Sequence, residues 1–353
     1  MTIPKLRKKI DTIDAQIVRL LNQRAKWGLL IGQEKVRHQK GVYAPDREKE
    51  ILERIKALNK GPMPIAAFEA IYREIMSSSL SLEKPLRIAY LGPSASFTHL
   101  ASLKKFGSQV EYVSGGDIAE VFERVEHTDC DYGVVPIENS IEGAVTHTFD
   151  ILVDSDLKIC SQILLEVSHN LLSKTTIEKI KMIYSNPQVF GQCRRWLRDN
   201  YPQAELIEVV STTRAAQMAS VQKHSAAIGS LLAAEVYHLR VLKKDIEDTA
   251  HNITRFLVIA PQDVPPTGRD RTSILFSIKD KIGALHAMLS PFRRYRINLT
   301  KIESRPSKKK AWDYYFFVDF EGHRLNPRVQ KALEQLEGMC KYLKILGSYP
   351  VVE

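Results

Sequence analysis

The sequence predicts a multidomain protein in which an all-α head is followed by an α/β middle and an α+β tail. Three observations predict this division. Apolar residues recur with helical spacing over residues 1–84, and short apolar runs alternate with helical patterns over 85–262. Over residues 271–350 the predicted order is strand, helix, strand, strand, helix and strand. A chain of 353 residues is long enough for two or three domains.

The composition is typical of folded globular domains, with 44% hydrophobic and 26% charged residues. No apolar run is long enough to span a bilayer, and the basic N-terminus lacks the apolar segment of a secretion signal. Four scattered cysteines form no C-x-x-C pair, so neither a disulfide framework nor a zinc site is indicated. These features predict a reduced, cytoplasmic protein.

The formal net charge of +10 favours anionic partners. Nucleic acid is one such class, small polyanionic substrates fit the charge equally well, and a solvated basic surface would need no partner. The only dense basic run is Lys308-Lys309-Lys310, which we expect at a hairpin tip.

The first helix of the head carries apolar residues in a heptad pattern, and charged residues interrupt that pattern. Its stripe begins with Leu6, Ile10, Ile13, Ile17 and Leu20. Spacings of 4, 3, 4 and 3 residues predict a helix from about residue 5 to 38. The same seam then reaches Arg24 and Lys35. A cation on a packing seam needs either a carboxylate from another helix or an anionic ligand.

Two more helices are predicted after a break at Gly41. Pro45 begins the second, because proline suits the first helical turn, and the turn Gly61–Pro64 precedes the third. Polar groups lie on or beside their apolar stripes at Arg47, Glu48, Ser79 and Glu83. With Arg24 and Lys35 these make six polar groups, three of them cations, which favours a pocket for an anion. Three helices of unequal length close a core poorly, so a dimer is expected.

The middle segment is predicted to be an α/β domain built from βαβ units. Its predicted strands are Arg87–Leu91, Tyr132–Val135, Ile159–Val167, Lys181–Tyr184, Leu206–Val210, Ala226–Ile228 and Phe256–Ile259. Polar loops follow strand ends, where open α/β sheets bind ligands, and side chains ahead of helix N-termini suit carboxylates. The candidates are Glu138, Asn139, Ser140, Ser185, Asn186, Gln188, Ser211, Thr212 and Thr213. Taken singly, each is more often a plain N-cap.

The tail follows a linker from Pro261 to Arg271 that is rich in proline, glycine and charge. Its predicted elements are a strand, helix, strand, strand, helix and strand at Ser273–Lys279, Ala284–Phe292, Asn298–Ser304, Asp313–Glu321, Pro327–Cys340 and Lys344–Tyr349. This βαββαβ order is the ferredoxin-like plan.

The sequence lacks the motifs of several common kinds of catalytic and cofactor site. No G-x-G-x-x-G follows a strand, and neither G-x-x-x-x-G-K-[ST] nor G-x-S-x-G occurs. The ten histidines show no metal-ligand spacing. An enzyme with this sequence is therefore expected to work without a cofactor or metal, using placed charges and hydrogen bonds.

The polar motifs of the middle segment resemble those of prephenate dehydratases in order and spacing. They are Leu91-Gly92-Pro93, Val135–Ser140, Ser185–Gln188, Ser211–Ala216 and Thr254-Arg255-Phe256. The tail, with Gly283-Ala284-Leu285 and Glu303–Pro306, resembles an amino-acid-sensing ACT domain, and the head resembles an all-helical chorismate mutase. Nearly the full chain thus resembles the bifunctional chorismate mutase–prephenate dehydratases of phenylalanine synthesis.

For the head, the resemblance implies an intertwined dimer that rearranges chorismate to prephenate. This reaction needs a clamped reactive conformer and stabilised charge on the breaking ether bond, without a nucleophile. The resemblance implies that Arg24 and Arg47 clamp carboxylates and that Arg7 reaches into the partner's site. It further implies that Lys35 and Glu83 face the ether oxygen, and that Glu48 and Ser79 hold the hydroxyl.

For the middle domain, the resemblance implies two lobes around a cleft, as in type 2 periplasmic binding proteins. There prephenate loses carbon dioxide and hydroxide to give phenylpyruvate. The resemblance implies that Thr254 donates to the leaving hydroxyl, that Arg255 anchors a carboxylate and that Phe256 lies beside them. The polar strand-end residues named above would complete the substrate site.

For the tail, the resemblance implies feedback regulation by bound L-phenylalanine. The implied contacts are Gly283, Ala284, Leu285, Asn298, Leu299, Glu303, Ser304 and Arg305, with Glu303–Pro306 expected as a polar loop after a strand. No nucleic acid or membrane partner is implied, and the chain is expected to form a homo-oligomer, either a dimer or a tetramer.

Two other functions fit part of the sequence. A fusion of the same mutase with a prephenate dehydrogenase would need a dinucleotide fingerprint, which is absent. An amino-acid-responsive DNA-binding regulator would also join a helical head to a two-lobed domain. Its recognition helix would expose its cations, however, whereas Arg24 and Lys35 lie on the apolar face.

Overall fold

The structure is a computed structural model that describes residues 2–38, 43–278, 282–307 and 314–351. The hairpin tip expected at Lys308–Lys310 lies outside the described residues. Among the residues that are described, no helix combines the length and the apolar character needed to cross a bilayer.

The head consists of the three predicted helices, α1 (Ile3–Arg37), α2 (Pro45–Leu58) and α3 (Ile65–Glu83). Few of its described residues are buried, namely Gly32, Tyr43, Pro45, Ile55 and Ser77. The apolar stripe of α1 is open to solvent, with exposed fractions of 45% at Leu6, 57% at Ile10, 54% at Ile13, 47% at Ile17 and 58% at Leu20. The head therefore has almost no core of its own within one chain.

The middle region contains seven α-helices among its described residues. They are α4 (Phe97–Phe106), α5 (Ile118–Glu126), α6 (Thr146–Asp154), α7 (Pro187–Gln192), α8 (Arg194–Asn200), α9 (Thr212–Val221) and α10 (Leu231–Val236). Its strands are β1 (Arg87–Leu91), β2 (Glu111–Gly115), β3 (Tyr132–Asn139), β4 (Gly143–Ala144), β5 (Lys158–Glu166), β6 (Asn170–Ser173), β7 (Met182–Ser185), β8 (Glu205–Glu208), β9 (Ser225–Gly229), β10 (Arg240–Lys243) and β11 (Ile253–Ala260).

These strands form two sheets, one ordered β2-β1-β3-β11-β5 with β4 beside β3, and one ordered β10-β6-β9-β7-β8. The chain passes from the first sheet to the second after β5 and returns after β10. Both sheets are mixed, because β11 runs antiparallel to β3 and β5, and β6 runs antiparallel to β9. The expectation of βαβ units alone was therefore wrong, although parallel pairs join β1 to β2 and β7 to β8.

Every strand predicted in the middle region is present, but β3 and β11 are longer than predicted. Asn139 and Thr254 consequently lie on paired strands rather than in loops. Strands β2 and β10 were missed because each carries polar residues and is partly exposed at the edge of its sheet. Strand β6 was missed because it is only four residues long and ends in polar Asn170 and Ser173.

The tail has the predicted order of elements. They are β12 (Asp270–Ser277), α11 (Ala284–Arg294), β13 (Leu299–Pro306), β14 (Tyr314–Glu321), α12 (Pro327–Glu337) and β15 (Tyr342–Pro350), with the sheet ordered β13-β14-β12-β15. Residues Glu303–Pro306 are not the expected loop. They continue β13, because the ladder with β14 extends to the pair Pro306 and Tyr314.

The tail and the middle region share one hydrophobic core. Phe317 and Leu346 of the tail belong to the same buried cluster as Phe149 and Ile159 of the middle region. The backbones also approach closely, since a Cβ added at Gly347 would lie 2.2 Å from the carbonyl oxygen of Ile159. The linker thus joins two packed units, and deleting the tail would expose apolar surface on the middle region.

Candidate functional sites

A cavity of about 110 Å³ lies where the three helices of the head meet α4. It is lined by all six polar residues that the sequence placed on or beside the helical seams, Arg24, Lys35, Arg47, Glu48, Ser79 and Glu83. The helical periodicity of three separate segments thus brings these side chains to one place.

The polar groups of this cavity orient one another. Arg24 Nη1 donates to Ser79 Oγ at 2.6 Å, and Ser79 Oγ donates to the carbonyl oxygen of Ile75 at 2.8 Å. Lys35 Nζ lies 3.1 Å from Glu83 Oε2, with exposed fractions of only 20% and 7% for the two side chains. The charged groups are therefore partly withdrawn from water, where their attraction for an anion is less screened.

Two glycines let α1 approach α3 closely. A Cβ added at Gly28 would lie 3.9 Å from Cβ of Ser79, and one at Gly32 would lie 2.7 Å from Cγ of Glu83. Any side chain at Gly32 would thus displace Glu83 from Lys35. The four-residue spacing of these glycines was a usable sequence signal that we missed.

Three further titratable residues of the cavity were not found from the sequence, Tyr43, Arg73 and Lys105. With them, five cations face two carboxylates, which suits a ligand with more than one negative charge. Arg73 lies on α3, whereas Lys105 belongs to α4 and no pattern in the sequence connects it to the head. Arg7 is exposed on α1 and is not among the residues that line the cavity in its own chain.

A larger cavity of about 950 Å³ lies beside the first and is bounded by all three regions. Its acidic and basic side chains are balanced: Lys35, Lys84 and Arg324 face Asp46, Asp131 and Asp263. This mixed lining does not favour an anion, whereas cations outnumber carboxylates in the smaller cavity.

A second polar cluster lies between β3 and β11 of the middle region. Asn139 and Thr254 are register partners, and Asn139 Nδ2 donates to Thr254 Oγ1 at 2.8 Å. Because Oγ1 accepts this hydrogen bond, the hydroxyl proton of Thr254 is left to donate to a ligand. The backbone N–H groups of Ile141 and Glu142 donate to Asn139 Oδ1 and fix the amide orientation.

Hydrogen bonds continue from this cluster toward the second sheet. Asn139 Nδ2 also donates to Asn252 Oδ1 at 2.6 Å, and Asn252 Nδ2 donates to Gln192 Oε1 at 3.2 Å. Gln192 Oε1 lies 2.6 Å from His169 Nε2. Burial lowers the pKa of His169, so the imidazole is neutral at neutral pH and donates through Nε2. Asn252, Gln192 and His169 were not among the site residues predicted from the sequence.

Most of the polar strand-end residues in the second sheet hold local structure. Ser185 Oγ donates to the carbonyl oxygen of Ile228, and the side chains of Asn186 and Ser211 cap α7 and α9. Gln188 is exposed on α7, and Thr212 is buried in the first turn of α9.

Two remaining candidates, Thr213 and Ser140, differ in the hydrogen bonds of their hydroxyl groups. Thr213 is 2% exposed, and its Oγ1 has no hydrogen-bond partner among the described residues. Ser140 Oγ accepts from the backbone N–H of Ile253 at 2.9 Å. Thr213 Oγ1 is thus a buried polar atom that no described residue satisfies.

Arg255 lies on the opposite face of the first sheet from Thr254, because neighbouring residues of a strand point to opposite sides. Its Nη1 lies 3.0 Å from Glu138 Oε1 and 2.6 Å from Asp319 Oδ2, and its Nη2 donates to Tyr349 Oη at 2.7 Å. This corrects the expectation that Arg255 and Glu138 stand beside Thr254 at the substrate: both face the tail.

Phe256 is also not placed as expected. It is 2% exposed and packs in the core of the first sheet with Leu86, Ile88 and Phe106. Its apolar environment explains its position without a ligand.

The expected effector residues lie in two parts of the tail. Gly283 is the N-cap of α11, with a φ of 74° that favours glycine, and Ala284 and Leu285 follow in its first turn. Asn298 donates to Glu321 Oε1 at 3.1 Å. The others, Leu299, Glu303, Ser304 and Arg305, lie on β13. Because sides alternate along this strand, Ser304 is exposed while Arg305 Nη2 lies 3.5 Å from Asp150 Oδ1.

Three protein-family models match the chain in sequence order. They are chorismate mutase type II over residues 6–84, prephenate dehydratase over 88–264 and ACT domain over 272–338. The three matches correspond to the helical head, the two-sheet middle region and the tail.

Known proteins similar over the whole chain have the same combination of names. A bifunctional chorismate mutase/prephenate dehydratase of Aquifex aeolicus is 49% identical and covers 99% of this chain and 98% of its own. One of Pseudomonas aeruginosa is 43% identical, with coverage of 98% and 96%. The crystal structure of a prephenate dehydratase from Arthrobacter aurescens in complex with L-Phe is 30% identical, with a TM-score of 0.70 over 75% of this chain and 90% of that one.

Proposed function

This chain belongs to the family of bifunctional chorismate mutase/prephenate dehydratases, and we propose how its residues divide the two reactions between two separate sites. The enzyme rearranges chorismate to prephenate and then converts prephenate to phenylpyruvate. We assign residues 1–84 to the mutase, 85–262 to the dehydratase and 271–350 to the ACT domain. The supporting observation is that the head cavity and the cluster around Thr254 have no residue in common.

The head cavity is the mutase site in this proposal. Arg24 and Arg47 bind the two carboxylates of chorismate and hold its reactive conformer, which supplies much of the catalysis of a unimolecular rearrangement. Glu48 and Ser79 bind the hydroxyl side, and Lys35 and Glu83 face the ether oxygen, where negative charge develops as the bond breaks. The contacts between Arg24 and Ser79 and between Lys35 and Glu83 hold these groups in place.

We further propose that the mutase domain is an intertwined homodimer formed through α1. The exposed stripe from Leu6 to Leu20 would be covered by the partner's α1, which supplies the core that one chain lacks. Arg7 lies beside this stripe and is assigned to the partner's cavity. The same placement disfavours a DNA-binding role, because Arg24 and Lys35 line a cavity and do not form an exposed recognition face.

Glu83 gives the mutase a predicted pH dependence. Only a protonated carboxyl can donate a hydrogen bond to an ether oxygen, and a carboxylate can only accept one. Mutase activity should therefore rise as the pH falls from about 8 toward about 5, closer to the range in which carboxyl groups bind protons. Glu83→Gln supplies a permanent N–H donor and should keep the activity while flattening this profile.

The measurement is mutase kcat/KM against pH for both proteins, with dehydratase activity on added prephenate as the control in each sample. A flat wild-type profile, or an unchanged slope in Glu83→Gln, would remove Glu83 from the ether-oxygen role.

The dehydratase site is assigned to the cleft between the two sheets, which we propose to be two lobes of the type 2 periplasmic-binding-protein kind. Thr254 donates its proton to the leaving hydroxyl of prephenate while Asn139 holds its oxygen. The unpartnered hydroxyl of Thr213 is assigned to the substrate. The hydrogen bonds through Asn252 and Gln192 to His169 hold the Asn139 amide in position beside Thr254.

We propose that the ACT domain adopts the ferredoxin-like plan and binds L-phenylalanine as a feedback effector. The Arthrobacter aurescens dehydratase in complex with L-Phe supports this ligand. Its effect would reach the dehydratase through Arg255, which joins Asp319 and Tyr349 of the ACT domain to the strand that carries Thr254. Regulation then requires different affinities of phenylalanine for two states of this junction.

Gly283 provides a test of the effector site that leaves the shared core intact. Its φ of 74° would strain any other residue, although a Cβ there would meet no atom of the described residues within 4 Å. Gly283→Ala should disturb the turn and weaken inhibition of the dehydratase by phenylalanine about tenfold, a change of about 1–2 kcal/mol from left-handed strain. The measurement is the phenylalanine concentration that halves dehydratase activity.

Gly268→Ala is the matched control, because Gly268 has a φ of 87°, equally open surroundings and a place in the linker. It should leave the phenylalanine response unchanged. An equal shift in both variants would mean that general strain, and not the effector turn, controls inhibition.

The overall assignment is tested by supplying the purified chain with chorismate alone. Phenylpyruvate should form without nucleotide cofactor or DNA, and its absorbance in alkali reports the product. Accumulation of prephenate without phenylpyruvate would remove the dehydratase assignment.

A further inference from the structure

The mutase cavity receives one side chain from the dehydratase domain. Lys105, near the end of α4, places its Nζ 2.9 Å from Glu48 Oε2, and both side chains have an exposed fraction of 15%. Lys105 therefore crosses the junction between two catalytic domains to pair with a carboxylate that we assign to chorismate.

A second group binds the same oxygen of Glu48. Tyr43 Oη donates to Glu48 Oε2 at 2.7 Å, and burial, followed by the charge of Glu48, raises the pKa of Tyr43 so that its hydroxyl remains a donor. The Tyr43 ring packs in the dehydratase core, with its centroid 5.0 Å from that of Phe106 and 5.3 Å from that of Tyr132. Glu48 is thus held from the dehydratase side through two contacts.

The junction around these contacts is close-packed. The backbone N–H of Gln109 donates to Ser77 Oγ at 3.0 Å, and a Cβ added at Gly107 would lie 2.6 Å from Cβ of Ser77. The end of α4 is therefore fixed against α3, and Lys105 has a defined position relative to Glu48.

We propose that Lys105 is a positioning residue of the mutase, which makes the mutase reaction dependent on the dehydratase domain. Lys105 and Tyr43 hold Oε2 of Glu48, and Oε1 is thereby directed to the hydroxyl of chorismate. This inference rests on the proposed assignment of Glu48 to the mutase site.

Lys105→Met in the full chain tests the proposal. Loss of a charge-assisted hydrogen bond to Glu48 should lower mutase kcat/KM about ten- to a hundredfold. Dehydratase activity on added prephenate should be unchanged, which also shows that the domain carrying the substitution is folded. Lys105→Arg keeps the charge and should recover most of the mutase activity.

Lys84→Met controls for the loss of an ion pair that only holds the two domains together. Lys84 Nζ also makes an ion pair across this junction, at 2.6 Å from Asp131 Oδ1, but it does not line the mutase cavity. It should retain full mutase activity. Equal losses in Lys84→Met and Lys105→Met, or equal losses of both activities in Lys105→Met, would overturn the positioning role.

A double-mutant cycle separates this proposal from the assignment on which it rests. Glu48→Gln should lower mutase activity, and adding Lys105→Met should cause little further loss because its partner is already changed. Additive losses would overturn the proposal for Lys105. Full mutase activity in Glu48→Gln would instead overturn the assignment of Glu48.

Discussion

Arg24→Ala is expected to abolish the conversion of chorismate to prephenate and to spare the dehydration of added prephenate. Arg24 provides a fixed cation in a cavity partly withdrawn from water, and it is already oriented by Ser79 at 2.6 Å. Losing one such donor typically costs about 100- to 1,000-fold in rate. The two rates are measured separately, by the disappearance of chorismate and by the formation of phenylpyruvate from prephenate.

Arg54→Ala controls for the loss of a cation from the same helical head. The Arg54 side chain has an exposed fraction of 59% and pairs with Glu50 on the surface of α2, so its loss should have little effect on either activity. If Arg24→Ala lowers both activities together through unfolding, Arg24 is a structural residue and the assignment of the cavity is wrong.

The reciprocal variant, Thr254→Val, should remove dehydratase activity and leave the mutase intact. Valine matches threonine in shape but cannot donate a proton, and a positioned general acid contributes about 100- to 10,000-fold. The same change leaves Asn139 Nδ2 without one acceptor, although it still donates to Asn252 Oδ1 at 2.6 Å.

Thr254→Ser is the matched variant, because it keeps the hydroxyl and loses only a methyl group. It should retain a substantial share of dehydratase activity. Full activity in Thr254→Val would show that the donor lies elsewhere, with Ser211 and Thr213 as the next candidates.

The spacing of apolar residues was enough to predict the helices and strands that form from residues close in the sequence. The three helices of the head follow from apolar spacing and from Pro45, and the six polar residues converge because each lies on or beside a seam. The tail's order of elements follows from short alternating runs in the same way.

Contacts between domains could not be predicted, because they depend on how separately folded units dock. No local pattern shows that Lys105 reaches Glu48 or that Arg255 meets Asp319. The position of Arg255 illustrates the limit: its neighbour Thr254 lies in a polar cluster, but the strand was predicted too short to show that the two side chains face opposite ways.

The polar network beyond Thr254 was missed for a different reason. Asn252 and His169 lie in the connections between the two sheets, where no periodicity constrains a side chain, and Gln192 ends the short helix α7. Their residue types were the available signal, because amide and imidazole side chains readily form hydrogen bonds. These side chains lie far apart in the sequence, however, and meet only when the two sheets are assembled.

The central claim is that the two reactions occupy separate sites in one chain, and a mixture of two inactive variants tests it most directly. Neither Arg24→Ala nor Thr254→Val should form phenylpyruvate from chorismate alone. Mixed in equal amounts, they should form it after a lag in which the Thr254→Val protein releases prephenate for the Arg24→Ala protein to consume. A mixture that forms no phenylpyruvate, although both proteins are folded, would contradict the assignment of the reactions to two separate sites.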